Sequence, residues 1–192
     1  MNDGDERIVP PDLVYVFYIR STAQKVWDAL TSSEFTTKFF FGRTVQSDWK
    51  QGSPWKMVMP DGTLDVFGDV LISDPPHKLQ VTWTVDWVDE ADKPGPAIIT
   101  YDIEQAGDAV KLTMTQHSDY AIPRKYIQAG AQGWAIILSS LKSLLETGEP
   151  PGTLRKQVTS PGGTTEAALD VLGAGDGLGP LLRRAVSAAA AR

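Results

Sequence analysis

Residues 122–148 decide the fold, and they read IPRKYIQAGAQGWAIILSSLKSLLETG. Apolar side chains recur in this stretch every three or four residues, which is the spacing of one helix face. They are Trp134, Ile137, Leu138, Leu141, Leu144 and Leu145. Gly148 and the pair Pro150-Pro151 are typical signals for the end of a helix. The sequence therefore predicts one long helix over residues 124–147 with a single apolar face.

The chain before this helix follows a different period. Residues 43–117 alternate strand-like runs with turn signals such as Gln51-Gly52 and Gly107-Asp108. In one run every second residue is apolar, which predicts a strand with one buried and one wet face. These residues are Leu79, Val81, Trp83, Val85 and Trp87. Strands at such short spacing indicate an antiparallel meander of six strands.

The N-terminal part supplies a further strand and two short helices. Residues 13–20 read LVYVFYIR, which predicts a strand with both faces at least partly covered. Ser21 or Thr22 can cap a helix that runs to about Thr31, and a second helix is expected from Ser33 to Phe39. The predicted class is α+β: a curved antiparallel sheet of about seven strands around a long C-terminal helix, plus a short helical tail.

This order of elements resembles the START/SRPBCC helix-grip superfamily, and within it the group related to the C-terminal domain of the heat-shock ATPase activator. The matching segments are STAQKVWDAL at residues 21–30, GDV at 68–70 leading to DPPHKL at 74–79, and Gly133-Trp134 before the leucine-rich part of the helix. The resemblance covers residues 13–149. It implies a cavity between sheet and helix, which the superfamily uses for apolar ligands or, in cyclase-like members, as a reaction chamber.

The side chains expected at this cavity are mostly apolar, as in most ligand pockets. They are Phe39, Phe41, Trp55, Met57, Trp83, Tyr101, Met114 and Trp134. Arg43 is added as a partner for an acidic ligand head group. His117, at a strand end, is added as a general base at the cavity mouth. The alternative is that the apolar residues are simply core and that His117 is a surface histidine.

The sequence identifies no catalytic residue, metal site or cofactor. Two histidines, His77 and His117, are too few for a histidine-rich metal site, and no suitable carboxylate cluster is evident. Asp65 and Asp69 flank Phe67 and are expected on a solvated face. The absence of cysteine excludes disulfides and thiol chemistry.

Charge and hydropathy exclude further classes. Of the net charge of -6, residues 1–150 carry -8, because residues 151–192 hold five basic and three acidic side chains. An acidic domain without a basic stripe argues against nucleic-acid binding. Residues 1–12 lack the pattern of a secretion signal, and no apolar run approaches the roughly 18 residues of a membrane span. A cytoplasmic location is therefore expected.

Residues 154–192 carry a second resemblance, to the C-terminal segment of pyrroline-5-carboxylate reductase. Residues 154–169 read LRKQVTSPGGTTEAAL. The resemblance implies a helical dimerisation segment whose Pro-Gly-Gly-Thr-Thr loop helps to bind a carboxylate. A glycine-rich turn between strand and helix is missing, so reductase activity by this chain is not expected. The tail helices are expected to dock on the domain or to form a homodimer, and the alternative is an exposed tail.

The predicted organisation has four parts. They are an N-terminal arm (residues 1–12), a helix-grip domain (13–149), a linker (150–159) and a helical tail (160–192). The leading function is binding of a small apolar or amphipathic molecule in the cavity. One alternative is a cyclase- or hydrolase-like enzyme, which needs polar groups converging inside the same cavity. The other is a co-chaperone-like interaction domain, which needs an exposed apolar or charged patch outside it.

Overall fold

The computed structural model describes residues 6–86, 95–149 and 153. The chain divides into two units, Met1–Pro150 and Pro151–Arg192, and all described residues except Thr153 belong to the first. Trp87 of the predicted alternating strand lies outside the described residues. So do the linker apart from Thr153 and the tail with its reductase-like segment. The domain boundaries and the tail homodimer therefore stay predictions.

The described part of the chain contains nine strands. They are β1 (Arg7–Ile8), β2 (Leu13–Ile19), β3 (Thr44–Gln46), β4 (Pro54–Val58), β5 (Leu64–Asp74), β6 (Lys78–Val85), β7 (Ala97–Ala106), β8 (Ala109–His117) and β9 (Ile122–Pro123). Seven of them form one antiparallel sheet in the order β2-β8-β7-β6-β5-β4-β3, and β1 pairs with β9 in a separate ribbon. The predicted seven-stranded sheet with its six-strand meander is confirmed.

The helices have the predicted positions. They are α1 (Ala23–Thr31), α2 (Ser33–Phe39) and α3 (Arg124–Thr147). Thr22 caps α1, since its side-chain oxygen accepts a hydrogen bond from the backbone N–H of Lys25 at 3.3 Å. Gly148 ends α3 with a φ of 81°, a left-handed conformation that suits glycine, and its N–H donates to the carbonyl of Leu144 at 2.9 Å.

The core lies between the inner face of the curved sheet and one face of α3. The buried residues of α3 are Trp134, Ile137, Leu138, Leu141 and Leu144. Strands β7 and β8 contribute every second residue, namely Ile99, Tyr101, Ile103, Val110, Leu112 and Met114. This alternation buries one side of each strand against the helix. The predicted α+β helix-grip arrangement is confirmed.

Strand β2 leaves its outer face open to solvent. Val14, Val16 and Tyr18 are 58%, 49% and 58% exposed. The expectation of cover on both faces does not hold for this side, whose three side chains are each about half exposed. Its outward side chains lie beside polar residues of β8, namely Lys111, Thr113 and Thr115. An apolar strand composition does not reveal which face lacks a partner.

Two side chains of α3 bind backbone groups at the C-terminal end of β2. The ammonium group of Lys142 donates a hydrogen bond to the carbonyl of Tyr18. The carboxylate of Glu146 accepts one from the backbone N–H of Arg20 at 2.8 Å. Lys142 and Glu146 also form an ion pair, with Nζ and Oε1 2.8 Å apart. Two backbone groups at the end of this edge strand are therefore satisfied within the domain.

Candidate functional site

A cleft of about 300 Å³ lies between the sheet and the N-terminal half of α3. Its walls come from the connection between α2 and β3, from strands β5, β6 and β8, and from α3. The volume is at the lower end of the range found for sites that bind small organic molecules. These segments are far apart in sequence, so the cleft exists only in the folded domain.

Small residues of α3 leave the room for the cleft. Ala129, Gly130 and Gly133 line it. A Cβ atom added at either glycine would meet no atom within 4 Å. Glycine inside a helix is less favourable than alanine by roughly 0.5–1 kcal/mol. Neither helix propensity nor tight packing therefore accounts for Gly130 and Gly133, whose structural effect is open volume.

Three aromatic rings form a continuous apolar wall. The ring centres of Phe40 and Trp83 lie 6.2 Å apart, and those of Trp83 and Trp134 lie 5.2 Å apart. Phe40 also meets Trp134 edge to face at 5.9 Å. Such ring pairs each contribute roughly 0.5–1.5 kcal/mol beyond their burial. The wall is therefore held in place by its own members.

Among the described residues, the charged groups of the cleft are one ion pair. Nε of Arg43 donates a hydrogen bond to Oδ2 of Asp65, and the guanidinium lies 5.6 Å from the centre of the Phe41 ring. The Asp65 side chain is 6% exposed and that of Arg43 is 22% exposed. At this burial each charge depends on the other, because an isolated buried charge is strongly unfavourable.

A β-bulge turns Asp65 into the domain. Met57 pairs with Val66 and Val58 pairs with Leu64, so Asp65 is the additional residue of β5. A bulge changes the direction of the side chains around it, and Asp65 and Val66 are both buried. The expectation of a solvated face is therefore wrong for Asp65. It holds for Asp69, which is exposed.

Gln116 and Ser118 supply neutral polar groups at the end of β8. Oε1 of Gln116 accepts a hydrogen bond from the indole N–H of Trp134 at 2.6 Å. Ser118 is buried, and its hydroxyl oxygen accepts one from the backbone N–H of Tyr120 at 3.3 Å. Both residues line the cleft. Because neighbouring residues of an extended chain point to opposite faces, His117 between them points away.

Four of the predicted cavity residues line this cleft. They are Phe41, Arg43, Trp83 and Trp134. Four others, Phe39, Trp55, Met57 and Tyr101, line a separate gap of about 30 Å³. That gap is far smaller than a site for an organic ligand.

The remaining apolar candidate, Met114, is completely buried in the core. Burial also raises the pKa of the Tyr101 hydroxyl above its usual value, so Tyr101 is a neutral phenol. Of the ten predicted residues, four line the cleft and five line the small gap, because Trp83 lines both, whereas Met114 and His117 line neither. A role for any of them in ligand binding stays a prediction.

His117 lies on the outside of the sheet end. Its Nδ1 is 2.7 Å from Oδ1 of Asp12, and its Nε2 is 3.2 Å from Oδ1 of Asp119. The hydrogen bond with Asp12 raises the pKa of the imidazole. The His117 side chain is 44% exposed. Its proposed role as a general base stays a prediction, and its surroundings are those of a surface ion pair.

Several lining residues were not predicted, although the sequence carries signals for three of them. Gly130 and Gly133 lie inside a helix and on the same side of it. Glycine is unfavourable inside a helix, so its presence there indicates a structural or functional role. Gln116 continues the period of two set by Leu112 and Met114, so it is an inward-facing polar residue. No comparable signal marks Asp65, because its position depends on the bulge.

Among the described residues, no helix has the length and hydropathy needed to cross a bilayer. The same part of the chain has no group of three or more His, Cys, Asp or Glu side chains that could hold a metal ion. The polar chemistry that these residues bring to the cleft comes from a small set. It is Arg43, Asp65, Gln116, Ser118 and Tyr126.

Residues 20–146 match the family model described as Activator of Hsp90 ATPase homolog 1-like protein. No curated protein matches the chain significantly. Solved structures with a similar fold include the Aha1 dimer from Colwellia psychrerythraea. It is 19% identical with a TM-score of 0.59, and the match covers 72% of this chain and 98% of that one.

Two further solved structures are similar at the same level. An HSP90 activator from Plasmodium falciparum is 19% identical with a TM-score of 0.56, over 70% of this chain and 95% of that one. Protein MLL2253 from Mesorhizobium loti is 20% identical with a TM-score of 0.59, over 70% of this chain and 96% of that one. At these identities the similarity shows the fold.

Proposed function

The chain belongs to the Activator of Hsp90 ATPase homolog 1-like family, and from this premise we propose that it binds a small apolar or amphipathic molecule in the cleft beside α3. The predicted resemblance to the START/SRPBCC superfamily and its heat-shock activator group is confirmed. The resemblance of residues 154–192 to the reductase stays a prediction.

One observation supports the proposal: the cleft is apolar and open, and no side chain fills it at the two positions where α3 has glycine. Trp83 and Trp134 face a space of about 300 Å³ that Gly130 and Gly133 leave empty. Apolar surface facing water is unfavourable by roughly 25 cal/mol per Å², so a ligand that covers these rings gains binding free energy. A well-packed core would not need such a space.

The experiment measures binding of N-phenyl-1-naphthylamine, a neutral dye that becomes fluorescent in apolar surroundings. We expect saturable fluorescence with the wild-type chain. The variant Gly130→Leu fills the cleft from the helix side, where a side chain meets no neighbouring atom at its Cβ. It should lose dye binding while the domain stays folded.

Gln132→Leu is the matched control, because Gln132 is exposed on the same helix and does not line the cleft. It adds the same side chain to the outside and should leave dye binding unchanged. Equal dye binding by Gly130→Leu and the wild type would refute the proposal. Equal loss in both variants would show that the dye reports the helix surface and would refute it as well.

A second candidate is interaction with an Hsp90-type chaperone. It is favoured by the exposed apolar row Val14, Val16 and Tyr18, which lies on the outer side of the sheet. Contiguous exposed apolar surface is typical of interaction sites. The solved Plasmodium falciparum structure is named as an HSP90 activator, which supports the same candidate.

The chaperone candidate is tested by the ATPase rate of an Hsp90 protein with and without the chain. We expect stimulation that is lost in the double variant Val14→Thr/Val16→Thr. Ile136→Thr is the control, since Ile136 is an equally exposed apolar residue of α3. An unchanged ATPase rate in the presence of the wild-type chain would exclude this candidate. The enzyme alternative for the cleft stays a prediction.

A further inference from the structure

We propose that the ligand of the cleft carries an uncharged hydrogen-bond acceptor, such as a ketone, ester or amide oxygen, at its polar end. The proposal rests on the proposed binding function of the cleft and adds the chemical class of the ligand. It departs from the expectation of an acidic head group at Arg43, because the structure gives Arg43 a carboxylate partner of its own.

The first argument is the charge of the lining. Among the described residues that line the cleft, Arg43 and Asp65 are the charged ones, and they are bonded to each other. Their formal charges cancel, so the described part of the lining is neutral. A carboxylate ligand would lose its hydration and would meet the buried Asp65 carboxylate as well as Arg43. A neutral ligand avoids both penalties.

The second argument is the orientation of the Gln116 amide. The indole N–H of Trp134 is a donor and cannot accept, so the Gln116 atom that faces it at 2.6 Å must be the oxygen. The amide nitrogen of Gln116 is then left with two N–H groups. Within the described residues, these N–H groups have no hydrogen-bond acceptor. Gln116 therefore offers donors to whatever occupies the cleft.

Arg43 and Ser118 offer donors in the same way. Among the described residues, the side-chain hydrogen bond of Arg43 is the one from Nε to Asp65, which leaves the terminal guanidinium N–H groups for a ligand. The hydroxyl oxygen of Ser118 accepts from Tyr120, so its O–H remains available to donate. Gln116, Arg43 and Ser118 thus each have a hydrogen-bond donor available at the apolar cleft. The ligand that satisfies them is an acceptor.

The experiment is competition with N-phenyl-1-naphthylamine by three amphiphiles of matched size at neutral pH. They are 2-nonanone, a neutral acceptor; octanoate, an anionic acceptor; and nonylammonium, a cationic donor. The three amphiphiles differ in intrinsic hydrophobicity. The readout is therefore the change, from the wild type to each variant, in the ratio of their half-displacement concentrations. Hydrophobicity cancels in that comparison.

The variant Gln116→Glu keeps an oxygen for Trp134 and removes the amide donors. We expect it to weaken displacement by 2-nonanone about tenfold and to strengthen displacement by nonylammonium. Asp65→Asn leaves Arg43 without its counter-charge and should shift the ratio towards octanoate by about tenfold. The double variant Arg43→Gln/Asp65→Asn is neutral again and should return to the wild-type ratio.

Octanoate as the strongest competitor of the wild type, or ratios that neither Gln116→Glu nor Asp65→Asn alters, would overturn this inference while the cleft still binds dye. If none of the three amphiphiles displaces the dye, or if no dye binds, the proposed function fails and this inference fails with it. If Asp65→Asn does not fold, the displacement ratios of Gln116→Glu test the inference by themselves, because this variant keeps the hydrogen bond with Trp134.

Discussion

Gly68 packs against Thr82 so closely that a Cβ atom on Gly68 would lie 2.0 Å from the carbonyl oxygen of Thr82. The same carbonyl accepts a hydrogen bond from the indole N–H of Trp55 at 3.0 Å, and the Thr82 hydroxyl accepts one from the backbone N–H of Asp69 at 2.8 Å. This contact lies next to the register shift between β5 and β6. Any side chain at residue 68 would break it.

Gly68→Ala should therefore destabilise the domain. Overpacking of this kind costs about 1–3 kcal/mol, and the obstacle is backbone rather than a flexible side chain, which favours the upper end. Urea unfolding followed by tryptophan fluorescence measures the change. Gly133→Ala is the control, because its Cβ would meet nothing within 4 Å. Equal stability of Gly68→Ala and the wild type would show that β5 and β6 separate readily.

Gly130→Ala should stabilise the domain. The added methyl group meets no atom within 4 Å, and alanine is favoured over glycine inside a helix by roughly 0.5–1 kcal/mol. The free energy of unfolding in urea should rise by about that amount. A fall in stability would mean that residue 130 is packed more tightly than the structure shows.

Removal of one partner of the buried Arg43–Asp65 ion pair should lower the free energy of unfolding more than removal of both partners. Arg43→Met leaves the buried Asp65 carboxylate unpaired, which should lower the free energy of unfolding by on the order of 3 kcal/mol. Arg43→Met/Asp65→Leu removes both charges and should recover much of this loss. The measurement is a double-mutant cycle in urea. A double variant less stable than Arg43→Met would show that Asp65 is stabilised by other groups.

The pair of His117 and Asp12 should make stability depend on pH. The hydrogen bond with Asp12 raises the pKa of His117 in the folded state. The stabilisation is therefore complete below the unfolded-state pKa and is lost as the pH rises through the folded-state pKa. The difference in stability between the wild type and His117→Gln should shrink as the pH rises from below about 6.5, the usual pKa of histidine, through the higher folded-state pKa.

Titration of the His117 ring by NMR checks the same prediction directly. Asp12→Asn removes the group that raises the pKa, so the His117 midpoint should move to lower pH in that variant. His77→Gln is the matched control for the unfolding experiment. A wild-type His117 midpoint equal to that of Asp12→Asn would contradict the pairing.

The sequence predicted the long helix well because its apolar face, from Trp134 to Leu145, repeats over about three turns. The period of two in β6, β7 and β8 likewise comes from side chains that alternate about an extended backbone, and neither signal needs tertiary information. The resemblance of residues 13–149 then supplied the arrangement of these elements. Helix boundaries, the antiparallel meander and the buried face of α3 could all be stated before the structure, whereas the pairing of β2 with β8 was not predicted.

The site was less predictable, because small shifts of register decide it. Asp65 faces inward through a bulge that depends on the pairing of β4 with β5, which no local pattern reveals. Gln116 and Ser118 rather than His117 reach the cleft because strand positions alternate. Aromatic composition alone did not distinguish Trp83 and Trp134 at the cleft from Trp55 and Tyr101 in the core.

The C-terminal part of α3 buries more side chains in the core than its N-terminal part does. All five of its buried side chains, from Trp134 to Leu144, lie in the C-terminal part, and none of the described side chains at residues 124–133 is buried. Local opening is easiest where few apolar contacts must break. Amide hydrogens of residues 128–133 should therefore exchange with solvent faster than those of residues 138–144. A molecule in the cleft would slow the first group and leave the second unchanged, so exchange rates along a single helix would report occupancy.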